Sequence, residues 1–217
     1  MTSLTDISRA RRILCIGAHS DDLEIGCGGT VLRLLRERPG QVTVTWCVFA
    51  ADGVRGEEAR AGAARVLAGA ADARLVLHAF RDAHMPGQWL DVKAAMGAIR
   101  DGLRDVPPDL IFTHRPDDAH QDHRLLAELT AQAFRDHAIL GYEIPKYDGD
   151  LGQPNVFAPI AREDLDGKCA ALEAFASQRG KHWFDEETFR GLARLRGLEC
   201  ASPTRYAEGF YCRKWVL

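Results

Sequence analysis

Several things are missing from this 217-residue chain, and each absence excludes a class of protein. No apolar run approaches the ~20 residues of a membrane-spanning helix. The opening Met1-Thr2-Ser3-Leu4-Thr5-Asp6 lacks the basic and apolar order of a signal peptide, so a cytoplasmic protein without membrane insertion is expected. Lys and Arg number 28 against 31 Asp and Glu, a net charge of −3 with no basic block, which argues against nucleic acid as a partner. The six cysteines are scattered and form no Cys-x-x-Cys pair, so they read as buried thiols in a reducing compartment. Cys15 and Cys47 fall in apolar strand candidates, and Cys27 lies close enough to the first polar cluster to line a site. There is no internal repeat, low-complexity tract or long polar linker.

The chain is 46% hydrophobic, enough for one sizeable core, so a single domain over 1–217 is expected. Residues 12–18 form a short apolar run without alternation, the signature of a parallel strand buried on both faces. Next come a Gly-rich turn at 26–29, a helix from about Gly28 to Arg38, a strand Val42–Phe49 and an Ala-rich helix Glu57–Ala70. Strand Leu75–Leu77, helix Leu90–Arg104, strand Leu110–Thr113 and a helix from Gln121 to about His137 continue the alternation. This pattern predicts an α/β, Rossmann-like three-layer fold, a mainly parallel sheet with helices on both faces. Beyond His137, Gly and Pro punctuate two short strands at 139–144 and 155–160, a possible lip over the site, before helices at 163–176 and 186–199 and a strand Arg205–Val216.

Two polar clusters stand at strand exits. His19-Ser20-Asp21-Asp22-Leu23-Glu24 follows the first apolar run, placing an imidazole and three carboxylates where open α/β sheets seat their ligands. His114-Arg115-Pro116-Asp117-Asp118-Ala119-His120-Gln121-Asp122-His123 follows Leu110-Ile111-Phe112. Gathering so much charge beside buried strands calls for a cation, and the two clusters read as halves of one metal site. A catalytic zinc takes about three nitrogen or oxygen ligands and keeps a position open, and His19, Asp22 and His123 would supply that set. Asp21 would take a proton from water that the zinc activates, and His120 would donate to the developing oxyanion. Asp122 would steady that imidazole or orient a ligand. Taken alone, His-x-x-Asp is also the pattern of a solvated turn or a helix cap. The Gly cluster lacks the Gly-x-Gly-x-x-Gly order of a dinucleotide turn, which weighs against a nucleotide-binding regulatory domain.

Ala18-His19-Ser20-Asp21-Asp22-Leu23-Glu24 with Gly28-Gly29-Thr30 resembles the Ala-His-Pro-Asp-Asp-x-Glu motif of the LmbE-like (PIG-L) zinc-dependent N-deacetylases, and His120-Gln121-Asp122-His123 resembles their His-x-Asp-His motif. The resemblance is firm over about 12–137, the metal-site core, and fades over about 138–217, the substrate lip and C-terminal elements. It implies one Zn2+ per chain and removal of an N-acetyl group from an amino sugar or its conjugate, with an amide in a thiol conjugate or another N-acyl small molecule as the alternative substrate. It also implies the ligands His19, Asp22 and His123, the base Asp21, the oxyanion stabiliser His120 with Asp122 as its carboxylate partner, and a possible homo-oligomer. Asp52-Gly53-Val54-Arg55 resembles the family's second-strand loop and makes Arg55 a substrate-binding candidate, although a surface or helix-start charge is the alternative. Ser20 stands where the family usually has proline, which frees φ and restores an N–H at the turn.

Two further candidates come from the residues themselves. His84 follows a strand end and could line the pocket, or be a solvated loop histidine. Trp183, in Gln178-Arg179-Gly180-Lys181-His182-Trp183-Phe184, suits stacking against a sugar face, or belongs to the core or a subunit contact. Tyr147 and Asp148 on the Gly/Pro-rich lip share that ambiguity.

Overall fold

The structure, a computed structural model, describes residues 7–146 and 151–215, so Tyr147 and Asp148 lie outside the described residues. Its centre is a seven-stranded sheet in the order β3-β2-β1-β4-β5-β7-β6. The strands are β1 (Arg12–His19), β2 (Thr43–Ala50), β3 (Asp72–Leu77), β4 (Leu110–His114), β5 (Ile139–Tyr142), β6 (Val156–Ile160) and β7 (Tyr206–Tyr211). β1 to β5 pair in parallel, and β7 joins β5 and β6 antiparallel, so the sheet is mainly parallel as expected.

Strand composition explains the layering. In β1, Ile13 and Cys15 enter one core while Leu14, Ile16 and Ala18 enter the other. In β2, Val44, Trp46 and Val48 face the first core and Cys47 and Phe49 the second. A strand buried on both sides has no polar face to alternate, which is why β1 is apolar from Ile13 to Ile16 and β2 from Trp46 to Ala50, while the half-buried Thr43 and Thr45 sit at the start of β2. Helices α1 (Asp22–Glu37), α2 (Gly53–Val66), α5 (Arg162–Leu172) and α6 (Glu186–Glu199) contribute to the first side; α3 (Trp89–Gly102) and α4 (Gln121–Ala133) cover the second.

The order reverses at β1. Its chain leaves toward β2 on one side, while β4 pairs on the other, so the C-terminal ends of β1 and β4 flank the crevice where such sheets bind ligands.

The largest departure from the sequence reading is at α1, which starts at Asp22 instead of near Gly28. Residues 26–29 are therefore helical, and the expected Gly-rich turn does not exist. Tertiary approach accounts for these glycines: a Cβ on Gly26 would lie 2.2 Å from a ring carbon of Tyr142, and one on Gly29 would lie 3.0 Å from Glu208 Oε1. Glu208, on β7, accepts from the backbone N–H groups of Gly29 (3.1 Å) and Thr30 (2.7 Å) and from Thr30 Oγ1 (2.6 Å). Lys168 on α5 donates to Glu208 Oε1 and to the Ile25 carbonyl, both at 2.6 Å. A buried ion pair is thus clamped onto the middle of α1, close behind the first polar cluster.

Smaller shifts have local causes. Helix α2 starts at Gly53 instead of Glu57 because the Asp52 carboxylate caps it, accepting the Gly53 N–H at 2.7 Å. α4 ends at Ala133, short of His137, where Phe134 leaves the helix and is buried in the second core. β3 begins at Asp72, earlier than Leu75, and its first residues are exposed, so hydrophobicity does not mark them. β7 stops at Tyr211, where the pairing with β5 and β6 ends.

Two substitutions test the clamp. Lys168→Met leaves the buried Glu208 carboxylate without its cation and is expected to lower the unfolding free energy by about 3–5 kcal/mol, read from denaturant melts. Gly26→Ala forces its methyl into the Tyr142 ring and is expected to cost about 1–3 kcal/mol in the same assay.

Candidate metal centre

The motif residues converge because β1 and β4 end side by side. His19 is the last residue of β1, Asp21 stands at the N-cap position of α1 without a capping side-chain bond, and Asp22 is that helix's first residue. His120 caps α4 and His123 sits in its first turn. All of these except the half-exposed His120 are buried.

His19 Nδ1 lies 3.1 Å from Asp22 Oδ2 and 3.1 Å from His123 Nε2, and the remaining edge, His123 Nε2 to Asp22 Oδ2, is 3.3 Å. Ligands bound at ~2.0–2.1 Å in a tetrahedron stand about 3.3–3.4 Å apart, so this triangle suits one small divalent ion with a position left open. His114 Nε2 is also near, 3.3 Å from Asp22 Oδ2, but it accepts the Ala18 N–H at 2.9 Å, which occupies the lone pair a metal would need. His114 instead stacks on His123, ring centroids 3.9 Å apart, as the wall behind that ligand. Burial first, then the neighbouring His123 charge, pushes its pKa down to about 3, which keeps the ring neutral.

The donors are held from behind. Asp22 Oδ2 accepts the backbone N–H of His19 at 2.7 Å, which closes the turn between strand and helix. Ser20, in the usual proline position, sends its hydroxyl toward the Ala50 carbonyl at 3.4 Å. Asp118 Oδ1 is 2.9 Å from His123 Nδ1 and accepts the His120 N–H at 2.8 Å. His19 Nε2 faces Asp82 Oδ1 at 2.9 Å and Asp122 Oδ2 at 3.3 Å.

Asp122 differs from its expected partnership. Its carboxylate receives the N–H groups of Ala83 (2.8 Å) and Met85 (3.1 Å) and faces His19, and it makes no hydrogen bond to the His120 ring. What His120 receives is the Asp122 backbone N–H, on Nδ1 at 3.2 Å. Nδ1 is therefore an acceptor and the neutral ring carries its proton on Nε2. Burial, with the charges of His123 and His19, lowers the His120 pKa to about 4 and favours that neutral form.

Charge runs opposite to what burial alone would give. Burial raises the pKa of Asp22, yet Lys146, His123 and His19 hold it well below the usual carboxylate range. Burial lowers His19 and His123, yet Asp22 above all raises both. A cation bound at the triangle would replace those protons. Glu24 has both carboxylate oxygens buried without a hydrogen bond, and burial, assisted by Asp21 and Asp22, pushes its pKa well up toward the uncharged acid.

A cavity of about 210 Å³ opens onto these groups, with His19, Asp21, Arg55, His120, His123 and Trp183 in its wall. Asp21 Oδ1 accepts Arg55 Nη2 at 3.0 Å, while Oδ2 is buried with no hydrogen-bond partner. His84 is exposed, does not line the cavity, and turns Nδ1 back to the Asp82 carbonyl at 2.8 Å; Asp82 occupies the wall instead. Cys27 packs in the first core, its thiol 3.4 Å from the Leu23 carbonyl, and is not in the wall. Asp82, Asp118, His114 and Lys146 were not singled out from sequence. Asp118 and His114 lie inside the second polar cluster, which is the signal that could have found them, whereas nothing local marks Lys146. The start of α1 is a poor seat for phosphate, because the carboxylates of Asp21 and Asp22 occupy that end and oppose an anion. Among the described residues no helix is long and apolar enough to cross a membrane.

The chain is similar to known proteins in sequence and in fold. The PIG-L family, described as GlcNAc-PI de-N-acetylase, matches residues 14–134. An Escherichia coli (strain K12) protein, the uncharacterized deacetylase YaiS, is 31% identical over 185 residues, covering 80% of this chain and 95% of its own. The N,N'-diacetylchitobiose deacetylase of Pyrococcus horikoshii superposes with a TM-score of 0.69 at 20% identity, over 94% of this chain and 84% of that one. GalB of Pseudomonas putida KT2440, a 4-carboxy-2-hydroxymuconate hydratase, gives 0.73 at 19% identity over 95% and 98%. The structural likenesses establish a fold that hosts more than one reaction. The family match, over more than half the chain and inclusive of both polar clusters, is the narrower result: this chain belongs to the PIG-L family and is a hydrolytic N-deacetylase.

Proposed function

We propose that the chain removes the acetyl group from the nitrogen of an amino sugar or amino-sugar conjugate, with one zinc ion held by His19, Asp22 and His123. The observation that carries this reading is the donor triangle with 3.1–3.3 Å edges beside a buried carboxylate oxygen, Asp21 Oδ2, that has no hydrogen-bond partner. Two imidazoles and one carboxylate are a donor set that suits zinc. A cavity of about 210 Å³ is small beside the ~300–1,000 Å³ of drug-sized pockets, in keeping with a substrate about the size of a monosaccharide.

When bound, the ion supplies Lewis acidity toward the amide carbonyl and toward water. Asp21 Oδ2 takes the proton from the attacking water, and Arg55, paired with Oδ1, fixes the direction of that carboxylate. His120, with Nδ1 occupied by the Asp122 N–H, presents its Nε2 proton to the oxygen that gains charge as the amide carbon becomes tetrahedral. Asp21 then returns its proton to the departing nitrogen. Water and amide are consumed, and acetate and a free amine are formed.

Acetate and free-amine release from a panel of N-acetylated sugars, beside non-sugar N-acyl amides, tests the reading; release only from the latter rejects the sugar. Asp21→Asn is expected to keep stoichiometric zinc and lose about 10²–10⁴ in turnover, whereas His123→Ala loses the metal as well. Near-normal turnover in Asp21→Asn removes that residue from the mechanism. Asp118→Asn, which leaves His123 without its carboxylate, is expected to weaken zinc about 10- to 100-fold in a competition titration with a chelating dye.

A further inference from the structure

The proposed base is held by a chain of polar contacts that extends well behind the cavity. Asp21 Oδ1 accepts Arg55 Nη2 at 3.0 Å, and Arg55 enters the cavity wall from the first turn of α2. Glu58, three residues further along α2, lies on the same face of that helix. Its Oε2 stands 3.8 Å from Arg55 Nε, a nitrogen that is buried and makes no hydrogen bond. The guanidinium is planar with its donors in a fixed fork, so a charge that holds Nε also sets the direction of Nη2.

The same carboxylate reaches a segment 119 residues away. Ser177 donates its backbone N–H to Glu58 Oε1 at 2.7 Å and its hydroxyl to Oε2 at 2.6 Å. From Ser177 the contacts run outward to the cavity: Gln178 Nε2 donates to Ser177 Oγ at 2.9 Å, and Lys181 Nζ donates to Gln178 Oε1 at 2.6 Å. Gln178 and Lys181 both line the wall. Close packing brings α2 within reach of this segment, for a Cβ on Gly62 would lie 2.7 Å from the Phe175 ring, two residues before Ser177. Glu58 itself is buried and is not in the cavity wall, so any effect it has on the reaction runs through Arg55 and Ser177.

Resting on the role proposed for Asp21, we infer that Glu58 is a positioning residue of the deacetylation. Through Arg55 it fixes Oδ1 of Asp21 and leaves Oδ2 for the proton of the attacking water. Through Ser177 it holds the segment 177–183, and with it part of the cavity wall, against the same helix. One buried carboxylate thereby ties the direction of the base to the shape of the cavity.

Two substitutions separate the two contacts. Glu58→Gln keeps a side-chain oxygen for the Ser177 N–H but removes the charge beside Arg55. With the zinc-loaded enzyme, acetate release is followed from N-acetylglucosamine, or from p-nitroacetanilide where only non-sugar amides react. For Glu58→Gln, kcat is expected to fall about 10- to 100-fold with KM nearly unchanged. Glu58→Ala loses the Ser177 contact as well, so KM rises too, and backbone amides of 177–183 exchange with deuterated solvent at least about tenfold faster by mass spectrometry. A cycle with Arg55→Met distinguishes positioning from general damage: in that background Glu58→Gln is expected to cost less than about twofold in kcat, because the residue it acts through is gone. Additive losses in kcat overturn the inference, as does unchanged exchange over 177–183 in Glu58→Ala. Loss of zinc from Glu58→Gln also overturns it, since the change in kcat is then a metal effect. Release from neither compound by the wild type counts against the substrate reading, not against the contact to Ser177, which the exchange measurement reads without substrate.

Discussion

The organisation of this protein's working edge follows from one carboxylate that has no contact with solvent. Asp22 is fully buried at the start of α1, where leaving a charge unpaired would cost several kcal/mol. The surroundings answer it from every side: the His19 N–H closes onto Oδ2, His19 and His123 converge on the same oxygen, and Lys146 approaches Oδ1. The helix N-terminus adds its partial positive charge. Such an arrangement draws in either protons or a metal ion. The separations between donors suit ligands around a small cation, so the cluster that balances the Asp22 charge is also the candidate metal site.

That solution depends on parts of the chain far from the motif. The turn carrying Asp21 and Asp22 is followed at once by a helix in which residues 26–29 are mostly glycine, a costly choice for helix stability on propensity alone. The glycines let α1 lie flat on Tyr142 and let Glu208 reach backbone N–H groups in mid-helix, where Lys168 completes the clamp. Tyr142 in turn donates its hydroxyl to the Ile16 carbonyl and sits beside His114, which backs His123. Helix position and ligand position are therefore fixed by one contiguous set of buried contacts.

This explains what was and was not legible in the sequence. The apolar runs at 12–18 and 110–113 and the polar clusters after them identified the two strand ends, because burial on both faces of a parallel strand leaves a purely local mark. The proposed donors fall in those clusters, His19 and Asp22 at the end of β1 and His123 in the first turn of the helix that follows β4. The glycines were misread as a turn, since their purpose is an approach by Tyr142 and Glu208 that neighbouring residues do not reveal. His84 was the candidate read from its loop, yet with Ala83 at φ +61° it is Asp82 that reaches His19 from the cavity wall, at 2.9 Å, while the His84 imidazole stays in solvent. Of the two roles expected of the Asp122 carboxylate, steadying His120 or orienting a ligand, its contact to His19 fits the second, because residues two apart at a helix start point in different directions.

The division between fold and chemistry is sharpest at the cavity. A hydratase and a deacetylase both share this architecture, so the sheet alone does not decide the reaction. The residues proposed for hydrolysis, from His19 to His123, all lie within the part that matches the family, residues 14–134. Lys146, Gln178, Lys181 and Trp183 lie outside it and line the same cavity. The two segments also touch directly, Lys146 Nζ standing 3.4 Å from Asp22 Oδ1 and the Ser177 N–H donating to Glu58 Oε1 at 2.7 Å, so the later segment shapes the cavity and bears on the donor cluster at once. On the proposed reading, selectivity is decided in the C-terminal third, beyond the residues that match the family, where an indole and two ammonium groups join the carboxylates and imidazoles of the cavity.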